Sequence, residues 1–200
     1  MSKKIIPISK IVLGVCMIVF ALIGYIPIPA DLIEMTFISN LAGGIVLIVD
    51  GILFFKEKSV PTFIYRNAAV CIFFVFLICT GSLFGAYRMN FKGVFFALHT
   101  VFPILFILIY ILLIKDNDTK LVIKVTTTPV MMMVYLLFDF ILGQIRGKFV
   151  YGMFKVEELG FGWALLAGVV IYLFLALVGW AFIYFNSVVH PKKDNIKNTK

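Results

Sequence analysis

The chain has 200 residues, of which 62% are hydrophobic, 16% aromatic and only 14% charged, with a mean hydropathy of +1.10 and a formal charge of +8. A water-soluble domain of this length needs a far more polar surface than these proportions supply, which excludes the soluble enzyme and binding-module classes. The basic surplus does not call for a nucleic-acid partner, because it is not gathered into a groove-sized patch interleaved with aromatics.

A helix crosses the hydrocarbon with about 20 mostly apolar residues. Runs of that kind predict spans at 8–26, 31–55, 66–87, 93–114, 120–143 and 159–186. The first lacks a small-residue cleavage site and reads as an uncleaved signal anchor. The second opens on Pro29-Ala30-Asp31-Leu32-Ile33-Glu34, where Asp31 as N-cap and Glu34 three residues later form a capping-box pattern. The fourth contains Pro103, whose missing N–H deprives the His99 carbonyl of its partner and predicts a kink. The connections are too short for a soluble domain. Residues 1–189 therefore read as a single all-α, six-helix transmembrane domain, and 190–200 as a polar, disordered cytoplasmic tail.

Orientation follows from the distribution of Lys and Arg. The N-terminus, the second and fourth connections and the tail hold thirteen of the eighteen basic residues, among them Lys10, Lys56, Arg66, Lys115 and Lys192. The opposite side has Arg88, Lys92, Arg146, Lys148 and Lys155. The expectation is an N-in/C-in protein of the cell membrane, with basic rims facing anionic lipid.

Polar groups within the spans are costly, so function is sought among them. They are Thr36, Asn40, Asp50, Thr80, His99, Thr100, Thr126 to Thr128 and Asp139. Cys16, Cys71 and Cys79 lie in apolar runs without metal-ligand spacing and read as buried thiols. Only His190, in the tail, joins His99 as a second histidine. That rules against a bis-histidine haem or a multi-histidine zinc site, and no cofactor or metal is expected. Asp50 reads as half of a structural ion pair with Arg66 or Lys56, with a proton-relay role as the alternative.

Thr36 and His99 stand at compatible depths. At 1.5 Å per residue, Thr36 lies about 7 Å from the expected start of its helix and His99 about 10 Å below Lys92, both in the outer half of the bilayer. A hydroxyl and a neutral imidazole are the minimum parts of nucleophilic acyl transfer, the imidazole removing the alcohol's proton. Ordinary helix–helix hydrogen bonding is the competing role for both. Asp139 or a backbone carbonyl would orient the imidazole. Thr100 or a backbone N–H at a broken helix would stabilise an oxyanion. Arg146 suits either a lipid carboxylate or interfacial snorkelling.

These residues also carry a resemblance. Met35-Thr36-Phe37-Ile38-Ser39-Asn40-Leu41, Leu98-His99-Thr100-Val101-Phe102-Pro103 and Gly147-Lys148-Phe149-Val150-Tyr151 resemble, in order and spacing, three motifs of the androgen-induced membrane protein family and its bacterial six-span relatives. The likeness runs over about residues 35 to 186, and it departs at Gly152-Met153, where the family usually has Pro-Phe. Animal members hydrolyse fatty acid esters of hydroxy fatty acids with a threonine and a histidine. The resemblance thus implies Thr36 as nucleophile and His99 as base. Asn40, Thr100, Asp139, Arg146 and Tyr151 are, beside it, the candidate substrate-binding residues. The expected function is hydrolysis of a lipid ester resembling a fatty acid ester of a hydroxy fatty acid, with membrane lipids as further partners. The alternatives are a non-catalytic binder or transporter of lipid or another amphipathic small molecule, and a membrane assembly partner.

Overall fold

Proline and glycine punctuate the apolar runs and decide where each helix begins and breaks. A computed structural model describes residues 5–81, 92–116, 120–150 and 160–191, excluding the side chains of residues 80 and 81. Six helices are long and apolar enough to cross a membrane: α1 (Ile5–Tyr25), α2 (Met35–Phe54), α3 (Thr62–Gly81), α4 (Gly93–Leu113), α5 (Leu121–Arg146) and α6 (Phe161–Val189). The expected all-α six-helix membrane bundle is what the chain forms. Arg88, Tyr151, Lys155 and the tail from residue 192 lie outside the described residues.

Two helices are composite. α4 is α-helical over Gly93–Phe96 and Phe102–Leu113 and π-helical over Ala97–Val101 between them. The single break expected at Pro103 is thus spread over the preceding turn, where the Phe102 N–H reaches back to the Ala97 carbonyl. α5 joins Leu121–Thr127 to Val130–Arg146 across Thr128 and Pro129. The hydroxyls of Thr126, Thr127 and Thr128 bond carbonyls one turn back at 2.9, 2.7 and 2.6 Å. Pro129, which has no N–H to give the Val125 carbonyl, interrupts the helix just beyond these threonines.

α1 and α2 pack antiparallel through small residues. A Cβ on Gly14 would come within 2.5 Å of the Gly44 carbonyl, and one on Gly51 within 2.7 Å of the Pro7 carbonyl. Removing side chains there lets the two backbones touch, which in hydrocarbon is how helices gain van der Waals contact. α6 is attached along one narrow stripe, Leu175, Gly179, Ile183 and Asn186, and presents residues such as Leu165, Leu173 and Leu177 outwards. In water such a face would aggregate; against lipid tails it is at home.

Two expectations are corrected here. Asp31 does not cap α2. Pro29–Asp31 form a short 3-10 turn, and Glu34, in extended conformation, is the residue that precedes the helix, without a side-chain cap. Proline at the start of that turn favours the tighter winding, and the Glu34 carboxylate is occupied by the Tyr25 hydroxyl at 2.8 Å. Nor does Asp50 pair with Arg66 or Lys56. It accepts from Lys10 Nζ at 2.7 Å and from the Val60 N–H at 2.9 Å, because the close α1–α2 packing delivers Lys10 to it.

Arg66 lies inside α3, 3% exposed, and is committed to Asp116. One guanidinium nitrogen, Nη1, donates to both Asp116 oxygens at 2.8 Å. Tyr110 donates to the same carboxylate at 2.7 Å, Thr62 at 3.1 Å and Lys124 at 2.9 Å, and Lys124 also reaches the Asp116 carbonyl. Asn186 of α6 binds the Asp116 N–H at 3.3 Å and the carbonyls of Tyr110 and Ile114 at 2.8 and 2.6 Å. This single aspartate therefore collects α3, α4, α5 and α6. Burial alone would raise its pKa, but hydrogen bonds from Lys124, Tyr110 and Arg66, with the guanidinium charge, outweigh it and hold the carboxyl below its ordinary value of 3.8. Its stabilising contribution is therefore full above that value and is lost as acid approaches the lower folded one.

Asp116→Ala should strand Arg66 and Lys124 as buried cations and cost about 3–5 kcal/mol. Lys124→Met, which leaves one paired cation, should cost clearly less. Unfolding of the detergent-solubilised variants measures both, and equal losses would show that the carboxylate is not the centre of the network.

Candidate functional site: a threonine–histidine pair at a membrane cavity

The loop Ile26–Glu34 delivers Thr36 into the first turn of α2, one residue after its start at Met35. Thr36 is 2% exposed. Opposite it, the π-helical turn of α4 carries His99. The Thr36 hydroxyl oxygen and His99 Nε2 are 3.2 Å apart, and His99 Nδ1 lies 2.9 Å from the Phe95 carbonyl oxygen. The Phe95 ring stacks on the imidazole at a centroid distance of 4.1 Å.

This geometry assigns the protons. A carbonyl oxygen only accepts, so in the neutral ring Nδ1 must carry the hydrogen and Nε2 the lone pair. The Thr36 hydroxyl then donates to Nε2, which is the direction a nucleophile activated by a base requires. The orienting group is the Phe95 carbonyl, one turn back on the same helix. Asp139 does not serve that purpose; its carboxylate accepts the Val150 N–H at 2.8 Å and holds the chain beyond α5.

Asn40, expected at the substrate, is fully buried one turn below Thr36 and does not line the cavity. Its amide nitrogen donates to the Thr36 carbonyl at 2.8 Å and to the Leu98 carbonyl at 3.1 Å. It thereby ties the backbone beside the hydroxyl to the backbone beside the imidazole. Thr100 also stays out of the cavity, and its buried hydroxyl has no hydrogen-bond partner among the described residues. Arg146 ends α5 exposed, followed by Gly147 in left-handed conformation (φ 70°), and does not line the cavity. Tyr151 falls outside the described residues.

The pair faces a cavity of about 780 Å³. Its wall is mostly apolar, with Leu98, Phe140, Phe149 and Tyr172 among its members and Asp31, Glu34 and Asp139 as its carboxylates. Leu137 and Leu165, each 60% exposed, line it from α5 and α6. Phe149 is seated against Gly143, where a Cβ would come within 2.6 Å of the ring. Burial pushes the Glu34 carboxyl above its ordinary value, the Tyr25 hydrogen bond opposes the rise, and the Asp31 charge adds to it.

Sequence reasoning missed Phe95, Tyr25 and the role of Glu34. Phe95 had a signal, since a histidine four residues on in a helix can reach that carbonyl. The Tyr25–Glu34 bond had none, because it depends on how the loop between α1 and α2 turns.

No family model, curated protein or solved structure matches this chain, so what the site does is argued from its own atoms. The tautomer is directly measurable. Nitrogen NMR of labelled His99 in its neutral form should show Nδ1 protonated and Nε2 bare. The reverse would make Thr36 the acceptor and leave its hydroxyl inactive as a nucleophile.

Proposed function

We propose that this chain is an intramembrane hydrolase of lipid esters, with Thr36 as nucleophile and His99 as general base and then acid. The contact between the Thr36 hydroxyl and His99 Nε2, with Nδ1 held by the Phe95 carbonyl, carries this reading. Thr36 Oγ1 attacks the ester carbonyl carbon while its proton passes to Nε2. The C–O bond to the alcohol then breaks, and Nε2–H protonates the departing alkoxide, leaving an acyl-threonine. Water, deprotonated by the same nitrogen, attacks the acyl carbon, and the threonine leaves with the proton returned. The first turn of a helix offers N–H groups without intrahelical acceptors, and in α2 that turn surrounds the nucleophile, which suits it to stabilising the oxyanion. The cavity's apolar wall suits an acyl chain. The motif resemblance of Thr36 and His99 to a threonine hydrolase family agrees with this assignment.

Thr36→Ala and His99→Ala should each abolish nearly all ester hydrolysis, and the double variant should be little worse than either, because residues acting as one unit are non-additive. Thr36→Ser, which keeps the hydroxyl, should retain some turnover. Hydrolysis should fall in acid as the imidazole takes a proton and can no longer accept one from the alcohol. A hydroxyl-directed fluorophosphonate should form its adduct at Thr36. Undiminished hydrolysis by folded Thr36→Ala would remove the threonine mechanism. Lipid binding without hydrolysis or adduct would make the protein a lipid binder or carrier.

In the same reading both termini are cytoplasmic and the cavity belongs to the outer half of the cell membrane. In a variant lacking the three native cysteines, Gln144→Cys should react with an impermeant thiol reagent added to intact cells, and Asn195→Cys should not. The opposite pattern would invert the orientation.

A further inference from the structure

The α6 wall of the cavity is built largely from small residues. Ala164, Ala167 and Gly168 line it at the spacing of one helix side, between Phe161 and Tyr172 at the two ends of the α6 lining. Met133, Leu136 and Phe140 line it from α5 at the same kind of spacing. From Phe161 to Tyr172 the helix rises about 16 Å, close to half of the roughly 30 Å hydrocarbon thickness and so to the span of one membrane acyl chain. Past Tyr172 and Met133 this slot is stopped, because Leu175, Met132 and Val70, all fully buried, pack together there.

Two glycines of α6 differ in what they serve. Packing requires Gly179, where a Cβ would come within 2.6 Å of Thr128. A Cβ on Gly168 would meet the Met133 terminal methyl at 3.7 Å, an ordinary contact, and would project towards another residue of the cavity wall. Glycine is the poorer helix former, and what it contributes at 168 is space in the slot.

From this we infer that Gly168 determines acyl specificity: the acyl arm of the ester lies along Ala164, Ala167 and Gly168 of α6, and the substrates are esters of long-chain acyl groups about one leaflet in length. The inference rests on the cavity being the site of the proposed hydrolysis, and it says which arm of the ester the slot holds. The acyl arm stays bonded to Thr36 while water approaches, so it is the arm that needs an apolar wall to retain it. The alcohol must leave, and the polar lining of Tyr25, Asp31 and Glu34 suits its departure. A cavity of about 780 Å³ is of the size that buries a whole drug-sized ligand, well beyond the need of a short acyl group.

The test is the acyl-chain profile of the full chain in nanodiscs, measured with fluorogenic butyryl and palmitoyl esters of one alcohol. Gly168→Phe places a ring where the chain would lie and should lower the palmitoyl-to-butyryl ratio of kcat/KM about tenfold. Gly168→Ala should lower it about threefold, and it carries the test by itself if the ring prevents folding. Gly162, exposed on the same helix and outside the lining, supplies the control, and Gly162→Phe should leave the ratio unchanged. Partition of each ester into the bilayer is common to all these proteins and cancels. An unchanged ratio in the folded Gly168 variants, an equal shift in Gly162→Phe, or a shift that follows the alcohol chain at constant acyl group would overturn the assignment and leave the hydrolase standing. Binding separates the two claims. Unreactive hexadecyl and butyl methyl sulfones, competing with a fluorescent acyl probe, should show the same loss of preference for the long chain in Gly168→Phe. That loss in a protein that hydrolyses no ester would remove the hydrolase and keep the slot, and sulfone preference indifferent to Gly168 would remove the slot.

Discussion

Inside the hydrocarbon there is no water to satisfy a polar side chain, so each one must find its partner on another helix or on its own backbone. That requirement shapes both ends of this bundle, with opposite results. At one end the Asp116 carboxylate accepts from Arg66, Tyr110, Thr62 and Lys124 and binds three helices, and its backbone N–H donates to Asn186 of a fourth. At the other, the Thr36 hydroxyl and the His99 imidazole meet at a cavity wall that is otherwise mostly apolar. The first arrangement fills the carboxylate with donors and resists change. The second leaves space beside a polarised hydroxyl, which is the condition for chemistry.

What allows His99 to stand there is the π-helical turn ahead of Pro103. An extra residue in one turn rotates the earlier part of a helix by about 100° relative to the later part. The later part of α4 can then turn Phe102, Phe106 and Tyr110 into the core while the earlier part turns Phe95 and His99 to the cavity. Pro103 makes this wide turn easy to accommodate, since the N–H that regular α-helix would have used for the His99 carbonyl is missing. Asn40 then fixes the distance between α2 and α4 through two carbonyls, one beside each partner of the pair.

Depth is legible in the sequence and rotation about the helix axis is not. Hydropathy counts residues along the membrane normal, which is why six spans can be anticipated from position alone. Thr36 does meet His99, although α2 starts at Met35 and sets Thr36 about 1.5 Å rather than about 7 Å inside its helix. Which neighbour a side chain meets at that depth depends on azimuth. Asp50 has several cations near its level, and the choice of Lys10 comes from the glycine contacts that press α1 onto α2. Arg66 reads as part of a connection because a charge is expected to end a span. Pro61 instead starts α3 earlier, and Asp116 makes the buried charge tolerable. Asn40 is unusual by position alone, but only the approach of Leu98 shows that it braces the backbone.

A hydrolase within a bilayer must receive two reactants that do not mix. In the proposed hydrolase the lipid would come from the hydrocarbon side, where exposed Leu137 of α5 and Leu165 of α6 line the cavity. Water in that reading would come from the polar side, where Asp31, Glu34 and Tyr25 border the same cavity. Thr36 stands between the two because α2 begins where the polar loop ends, and its second helical residue is the first position at which a hydroxyl can face both. A nucleophile one or two turns deeper would be screened from water, and one in the loop would lack both the helix N–H groups and the imidazole. In this reading the short 3-10 turn at Pro29 has a chemical consequence: it delays the start of α2 and so sets the nucleophile at the boundary.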